Sequence, residues 1–290
     1  MSKSKYLIIL GGSPRGGEHA WKSMHKYVQK HLSADLAICT GKKWISRQSF
    51  FNEIKFDWTF DEPDDWSLYY DNNFQLDWKK AFELGRNTGL LESGFIHFAI
   101  KDIIYRNYLD IVKNYDYIIY SRFDQLFINY HNHGFGDNIL IPEGEDYFGL
   151  FDRHILFPAD FASNFFGILN YFFDNYEDLS KIDYLNCETL NKLHLETFVS
   201  PNQILRSKRF QFTVAESKDR TNWRKAIYKI YFLKDLKLKY PDEFIQSIKN
   251  FNLQLKFSKL NYPNLIFLFN YYYLILRIKL GSIKNSIYSK

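Results

Sequence analysis

The stretch KYLIILGGSPRGG, residues 5–17, decides the fold class. It begins with a short continuous apolar run, which is typical of a buried strand, and it ends in a glycine-rich loop. A helical pattern over residues 21–31 follows, and ADLAICT at 34–40 has the composition of a second strand. This order of elements predicts an α/β domain of three layers with a mostly parallel central sheet. In such sheets ligands bind beyond the carboxyl ends of the strands.

The glycine-rich loop is the first candidate for an anion site. Gly11, Gly12 and Pro14 are turn residues that let backbone N–H groups approach an anion, and Arg15 adds positive charge. The loop has neither the GK[ST] ending of a P-loop nor the G-x-G-x-x-G pattern of a dinucleotide site. An ordinary Gly/Pro turn explains it equally well, so both interpretations stay open.

A second apolar run, YDYIIYSRFDQLF at 115–127, stops at a polar cluster. Arg122 and Asp124 are two residues apart, so their side chains point to the same side if the chain stays extended. We expect the Asp124 carboxylate to be exposed at the strand end, where it would suit Mg²⁺ or Mn²⁺, and a guanidinium pairs with phosphate oxygens. The pair therefore suits a diphosphate leaving group. The alternative is a plain surface ion pair between Arg122 and Asp124.

The third candidate is the loop PEGEDYFGLFDRH, residues 142–154, which is dense in carboxylates beside a histidine. Such a set supplies a general base and contacts to an acceptor substrate. An ordinary solvated loop is the alternative, but the interleaved aromatic residues favour partial burial. The candidate residues in this loop are Glu143, Glu145, Asp146, Asp152, Arg153 and His154.

Charge is divided unevenly along the chain. Residues 223–290 carry 13 Lys and Arg against 3 Asp and Glu, whereas residues 1–222 carry 25 against 30. We therefore predict a catalytic domain at 1–222 and a basic, aromatic, helical extension at 223–290. The apolar run at 265–280 is too short to span a membrane but suits an anionic membrane surface. A helix packed against the body is the alternative.

The remaining segments are less informative. Helical spacing is evident at 93–112, and helices are also predicted at 161–176 and 187–195. Residues 44–87 are irregular and rich in Trp and Asp, which fits either a substrate-covering insertion or a packed loop with aromatic anchors. Cys39 and Cys187 lack a metal-binding or redox spacing, and the N-terminus lacks a signal-peptide pattern. Both features predict a cytoplasmic protein with reduced thiols.

Four segments in order resemble GT-A-type nucleotide-sugar glycosyltransferases of capsule and lipopolysaccharide loci, a group also found in some large viruses. They are the G-x-P-R-G loop, YDYIIYSRFDQLF, IPEGEDYFGLFDRH and NCETLNKLHLE, and the resemblance covers residues 5–225. The segment SRFD is similar to that family's metal-binding D-x-D. The resemblance implies a GT-A-like domain that binds a nucleoside-diphosphate sugar, with the nucleotide near Gly11–Arg15.

The resemblance also implies roles for particular residues. The donor diphosphate would lie at a divalent cation, Mn²⁺ or Mg²⁺, held by Asp124. Arg122 stands where the first carboxylate of D-x-D would be, and a guanidinium can replace part of the cation's role. Asp152 is the first candidate for the base that deprotonates the acceptor, Glu188 is the second, and His154 would orient a carboxylate.

The predicted function is transfer of a sugar from a nucleoside-diphosphate donor to a hydroxyl of a surface glycan or a lipid-linked acceptor, in the cytoplasm or on the inner face of the membrane. One alternative is a sulfotransferase with a phosphorylated adenylyl donor, since PRGG is faintly similar to a phosphate loop of that class. Another is a non-catalytic protein whose basic tail binds nucleic acid or other anions. No nucleic-acid partner is expected, because the tail lacks a Gly- or Arg-rich motif.

Overall fold

A computed structural model describes residues 5–47, 53–74, 77–84, 94–131, 136–216, 228–229, 236–252 and 262–288. The strands are β1 (Tyr6–Gly11), β2 (Asp35–Cys39), β3 (Phe56–Asp57), β4 (Tyr117–Arg122), β5 (Gln125–Phe127), β6 (Ile139–Pro142), β7 (His154–Pro158), β8 (Ile204–Ser207), β9 (Gln211–Glu216), β10 (Tyr228–Lys229) and β11 (Leu236–Leu238). The α-helices are α1 (Gly17–Met24), α2 (Lys30–Leu32), α3 (Ser67–Asn73), α4 (Trp78–Glu83), α5 (Phe95–Val112), α6 (Ala162–Phe166), α7 (Ile168–Asp174), α8 (Tyr176–Leu179), α9 (Cys187–Leu195), α10 (Pro241–Asn252) and α11 (Tyr262–Tyr288).

Seven of the described strands form one large sheet with the order β3-β2-β1-β4-β7-β6-β8. The pairs β3–β2, β2–β1, β1–β4 and β6–β8 are parallel, whereas β7 runs antiparallel to both β4 and β6. Strand β1 lies between β2 and β4, so the two apolar runs read from the sequence are neighbours. The prediction of an α/β fold with a mostly parallel central sheet is confirmed.

Both faces of this sheet are covered, which gives three layers. Successive residues of a strand point to opposite faces. Accordingly, Leu7 and Ile9 belong to one apolar core with helix α5, and Ile8 and Leu10 belong to another with Trp21 of α1. This double coverage is the reason β1 is a continuous apolar run rather than an alternating one.

A smaller antiparallel sheet lies beside the large one, with the order β10-β11-β9-β5. Strand β11 pairs with β9, and helix α10 packs its Phe244 and Ile248 against Phe212 of β9. Residues 236–252 of the predicted extension are therefore packed into the body. The predicted boundary between residues 222 and 223 lies outside the described residues. The extension is helical at α10 and α11, as predicted, but its strands β10 and β11 were not predicted.

Two further expectations concern the insertion and the membrane. In the described part of residues 44–87, Trp58, Trp66 and Trp78 are buried in the main core, which favours the packed loop over a substrate-covering insertion. Cys39 and Cys187 are buried and carry no disulfide. Within the described ranges, none of the helices has the length and apolar character needed to cross a bilayer.

Candidate active site

Three strands bring the sequence candidates to one edge of the large sheet. Gly11, at the end of β1, pairs in register with Arg122, at the end of β4. Strand β7 runs the other way, so the residues that precede it arrive at the same edge, and Arg122 N–H donates to the carbonyl of Arg153 at 3.1 Å. The topology therefore joins the glycine–arginine turn, the Arg122–Asp124 segment and the end of the carboxylate-rich loop.

The Arg122–Asp124 pair forms as the spacing predicts. Arg122 Nη2 donates to Asp124 Oδ2 at 2.9 Å. Asp124 is only 2% exposed, and its Oδ1 has no hydrogen-bond partner among the described residues. A buried carboxylate oxygen without a partner is costly, and it marks a place where a ligand or water belongs. The pair is thus not the plain surface ion pair that was the alternative.

The small sheet explains why Asp124 is buried. Val214 N–H of β9 donates to the Asp124 carbonyl at 2.9 Å, and Lys239 N–H donates to the carbonyl of Thr213 at 3.0 Å. Lys239 follows β11, so the ladder from β5 through β9 to β11 carries this lysine toward Asp124. Tyr240, the next residue, stacks on the Arg153 guanidinium at 4.4 Å.

Three cations surround the single carboxylate of Asp124. Burial alone would raise its pKa, but Arg122, Lys239 and Arg153 outweigh burial and hold the pKa below its ordinary value. Burial, reinforced by Arg122, lowers the pKa of Lys239 to about 7. Placing like charges together in a buried site destabilises them, so this spot favours an anion that would bring more negative charge.

The described residues do not build a divalent-cation site. They contain no group of three or more His, Cys, Asp or Glu side chains able to hold a metal. Asp124 is the one predicted ligand; one of its oxygens is taken by Arg122, and positive side chains lie around it. The donor set therefore fits a phosphate anion better than a divalent cation.

Glu243 of α10 ties the C-terminal segment to this site. Its Oε1 lies 3.2 Å from Arg153 Nη2 and 3.3 Å from Arg209 Nη1, and its Oε2 accepts from Thr213 N–H at 2.6 Å. Both guanidinium groups and the carboxylate are buried. Arg209 in turn donates to the carbonyls of Glu143 and Gly144, both at 2.7 Å. One carboxylate thus fixes the position of Arg153 and of the loop that begins at Glu143.

Asp152 lies on the other side of Arg153, facing helix α5. His97 Nε2 is 3.6 Å from Asp152 Oδ2, and one helical turn later Lys101 is wholly buried, its Nζ over the Phe165 ring at 4.4 Å. Burial would raise the pKa of Asp152, but the positive groups around it, among them Arg153 and Lys101, lower that pKa below its ordinary value. Asp152 is therefore an ionised carboxylate at neutral pH.

Glu188, in the first turn of α9, behaves in the opposite way. Burial raises the pKa of Glu188 to about 8, and the negative charge of Asp152 adds to the rise. The helix is capped by Asn186, whose side chain accepts from Thr189 N–H at 2.7 Å. Two carboxylates with pKa values pushed apart divide proton donor and acceptor roles between them.

The glycine–arginine turn borders a cleft beside Arg122. Pro14, Gly17 and Arg122 are among the residues that line this narrow cleft. Gly11 leaves no room for a side chain, because a Cβ there would lie 2.6 Å from the Tyr120 hydroxyl. Gly12 has a φ of +102° with open space beside it. Arg15 is half-buried, and its carbonyl accepts from Glu216 N–H at 2.9 Å.

The predicted acceptor contacts are divided by the structure. Asp146 attaches its loop to β8, since it accepts from Arg206 Nη2 of β8 at 2.8 Å and from Phe151 N–H of the same loop at 3.0 Å. Glu145 accepts from the Tyr147 hydroxyl. The side chain of Glu143 is half-buried, and Arg153 belongs to the cation cluster.

His154 is not brought to the carboxylates. Its Nε2 contacts His131 Nε2 at 2.8 Å, and its ring packs edge-on against Phe127 at 5.3 Å. Asp152 comes two residues before His154 in the chain, and it faces α5 on the other side of the sheet. The suggestion that His154 orients a carboxylate therefore has no described contact to support it.

Sequence reasoning missed a set of side chains that the structure adds to the site. The residues from α5 could have been found from the sequence, because two polar residues one helical turn apart interrupt an otherwise apolar helix face. Those near β11 could not, because their role depends on pairing with distant β9. The added residues are His97, Lys101, Lys239, Tyr240 and Glu243.

Comparison with known proteins gives matches among solved structures only. No family model matches the chain, and no curated protein matches it. A galactosyltransferase, LgtC, in complex with donor and acceptor sugar analogs matches at 12% identity and a TM-score of 0.40, covering 70% of this chain and 73% of that one.

Two other solved structures are similar to the same degree. Core-mannan synthase A from Aspergillus fumigatus, in its Mn/GDP form, matches at 8% identity and a TM-score of 0.44, covering 71% of this chain and 73% of that one. Mouse xyloside xylosyltransferase 1, in its apo form, matches at 11% identity and a TM-score of 0.39, covering 70% and 84%. At these values the likeness does not establish what this chain does.

Proposed function

We propose that this protein is a glycosyltransferase that moves a sugar from a nucleoside-diphosphate donor to a hydroxyl group. The observation that carries the proposal is the buried cluster in which Arg122, Arg153 and Lys239 surround Asp124 at the carboxyl edge of β1 and β4. Such a cluster suits an anion larger than a single carboxylate, and a diphosphate has the charge and the row of oxygens to occupy it.

The donor lies across the sheet edge. Its diphosphate faces Arg122 and Lys239, and its nucleoside extends toward the glycine–arginine turn at the end of β1. As the sugar leaves, charge develops on the diphosphate, and cations fixed beforehand in a buried site stabilise that charge at little reorganisation cost. The metal role predicted for Asp124 stays a prediction.

The carboxyl groups of Asp152 and Glu188 act on the acceptor. An acceptor oxygen attacks the anomeric carbon, the new C–O bond forms, and the bond to the diphosphate breaks with its electron pair on the leaving phosphate oxygen. The hydroxyl proton passes to a carboxylate. Asp152, ionised at neutral pH, accepts the proton, and Glu188, whose pKa of about 8 keeps it largely protonated there, donates a hydrogen bond to the acceptor.

The acceptor is a surface glycan reached at the cytoplasmic face of a membrane. Helix α11 supports this, because apolar side chains at Tyr272, Leu276 and Leu280 are more than half exposed beside exposed Arg277 and Lys279. Exposed apolar groups next to basic ones suit the interface of an anionic leaflet. Leu274 of the same helix packs into the core of the small sheet, so α11 is attached to the body.

A nucleotide panel tests the proposal. Thermal shift and donor hydrolysis are measured on the full chain with UDP, GDP and their sugars, each with Mn²⁺ and with a chelator. We expect stabilisation and slow hydrolysis with one nucleoside-diphosphate family. Stabilisation by adenosine 3′,5′-bisphosphate alone would replace the proposal with a sulfotransferase, and salt-sensitive RNA or DNA binding without any nucleotide response would replace it with a nucleic-acid-binding protein.

A further inference from the structure

The loop between β6 and β7 has an unusual backbone. Gly144, Glu145, Tyr147 and Phe148 all have positive φ values, of +83°, +56°, +41° and +72° respectively. Three of these residues carry side chains, and bulky side chains rarely adopt this left-handed conformation because it is strained. Strain of this kind persists where surrounding contacts enforce it, and it concentrates at functional sites.

The enforcing contacts come from α9. Asn186 Nδ2 donates to the Tyr147 carbonyl at 2.8 Å, and Leu150 N–H donates to the Glu188 carbonyl at 2.9 Å. Gly149 lies so close to α9 that an added Cβ would overlap the Glu188 backbone, at 1.9 Å from its carbonyl oxygen. Phe148 directly precedes Gly149 in the chain, so it lies next to the point where this loop contacts the turn of α9 that carries Glu188.

This arrangement turns an aromatic side chain out of the protein. Phe148 is 83% exposed, and its ring meets the 44% exposed ring of Tyr184 at 5.2 Å in an edge-on arrangement. Exposing a large apolar ring while straining its backbone gives no folding benefit. The two rings form a small platform, Phe148–Tyr184, on the loop that packs against the first turn of α9, the turn that carries Glu188.

We propose that the Phe148–Tyr184 platform binds the pyranose ring of the acceptor, an inference that rests on the proposed function. A pyranose has an apolar C–H face that packs on an aromatic ring and a rim of hydroxyls that carboxylates bind. The platform supplies the first, and the neighbouring Asp152 and Glu188 supply the second. A sugar seated there presents a hydroxyl to Asp152 and Glu188, whereas the donor diphosphate lies at the cations on the Lys239 side.

The test measures glycoside binding and thermal stability of the whole 290-residue chain. Saturation-transfer NMR with the methyl glycosides of glucose, galactose and mannose is compared between the wild type and Phe148→Gly. Glycine accepts the left-handed backbone without strain, so we expect an unchanged or higher melting temperature together with at least a tenfold loss of glycoside binding. Phe148→Trp restores an aromatic face and retains binding. Tyr130→Ala, which removes an exposed tyrosine elsewhere, leaves binding and stability near wild type.

The affinities of the wild type and of Phe148→Gly for UDP and GDP are measured in parallel. They distinguish failure of the platform from failure of the proposed function. Equal nucleotide affinity in the wild type and Phe148→Gly, with glycoside binding lost, supports the platform. Glycoside binding that survives in Phe148→Gly, or a wild type that binds none of the glycosides, overturns the platform and leaves the proposed function standing. Weakened nucleotide affinity in Phe148→Gly also overturns it, because the rings would then hold the donor base. A wild type that binds no nucleoside diphosphate overturns the proposed function instead.

Discussion

Glu243→Gln is the perturbation that examines the connection between α10 and the site most sharply. The substitution keeps the shape of the side chain and removes its charge. Glu243 is fully buried and faces Arg153 and Arg209 at 3.2 and 3.3 Å. In the variant both guanidinium groups keep their charge without this counterion, and Thr213 N–H retains an amide oxygen as its acceptor.

The expected loss is large for a single conservative substitution. Breaking a buried ion pair by removing one partner costs about 3–5 kcal/mol. Neither arginine contact meets the geometry of a directed hydrogen bond, so attraction between charges carries the interaction and the lower end, about 3 kcal/mol, is expected. With a urea dependence of roughly 3 kcal/mol per molar, the unfolding midpoint falls by about 1 M.

Equilibrium urea unfolding followed by tryptophan fluorescence measures this shift. The matched control is Glu196→Gln, which removes one partner of the solvent-accessible Lys192–Glu196 pair at 4.0 Å. Exposed pairs of this kind contribute about 0–1 kcal/mol. An unfolding free energy of Glu243→Gln within about 1 kcal/mol of wild type would show that Arg153 and Arg209 do not depend on α10, and the packed position of residues 236–252 would be wrong.

Two further predictions concern protonation and the membrane. Because the pKa of Glu188 is raised in the folded state, its contribution to stability is complete at low pH and is lost as pH rises to about 8. The wild type should therefore lose stability relative to Glu188→Gln between pH 5 and 8, and the difference should stay constant above pH 8. If the unfolding free energies of the two proteins change with pH in parallel, the pKa of Glu188 is not raised. The double variant Arg277→Gln, Lys279→Gln should bind anionic vesicles about 30-fold more weakly, at about 1 kcal/mol per residue, while Lys181→Gln on the body should bind like wild type. Equal vesicle binding by the double variant would remove α11 as a membrane contact.

The fold followed from local patterns because its decisive strands are short apolar runs ended by glycine or charge. The strand predicted at 34–40 is β2, and the helix predicted at 187–195 is α9 with the same bounds. Parallel pairing then places the ends of β1 and β4 side by side, so the meeting of Gly11 and Arg122 was predictable from fold class alone.

The environment of Asp124 was not predictable in the same way. We expected an exposed strand-end residue, but β9 and the segment after β11 cover it. Gln125 pairs with Thr213, 88 residues further along the chain, and local composition does not encode a pairing of that range. Lys239 and Glu243 lie in the predicted extension, and their positions beside Arg122 and Arg153 depend on the same long-range pairing.

The buried polar residues of α5 show a second limit. The apolar positions of this helix predicted a core-facing stripe correctly, with Phe98 and Ile104 buried. Lys101 is buried as well, and the carboxylate that stabilises its positive charge, Asp152, lies 51 residues further along the chain. A charged residue on an apolar helix face is a detectable signal, but only the tertiary structure names the group that it faces.

The most direct measurement of the central claim is the affinity of Lys239→Met for UDP and GDP, determined by calorimetry beside wild type. Lys239 sits among the cations around Asp124, so its loss should weaken binding of the preferred nucleoside diphosphate at least tenfold, whereas Lys208→Met, at an exposed lysine, should bind like wild type. Wild-type affinity in Lys239→Met would mean that the sheet edge is not where the diphosphate binds.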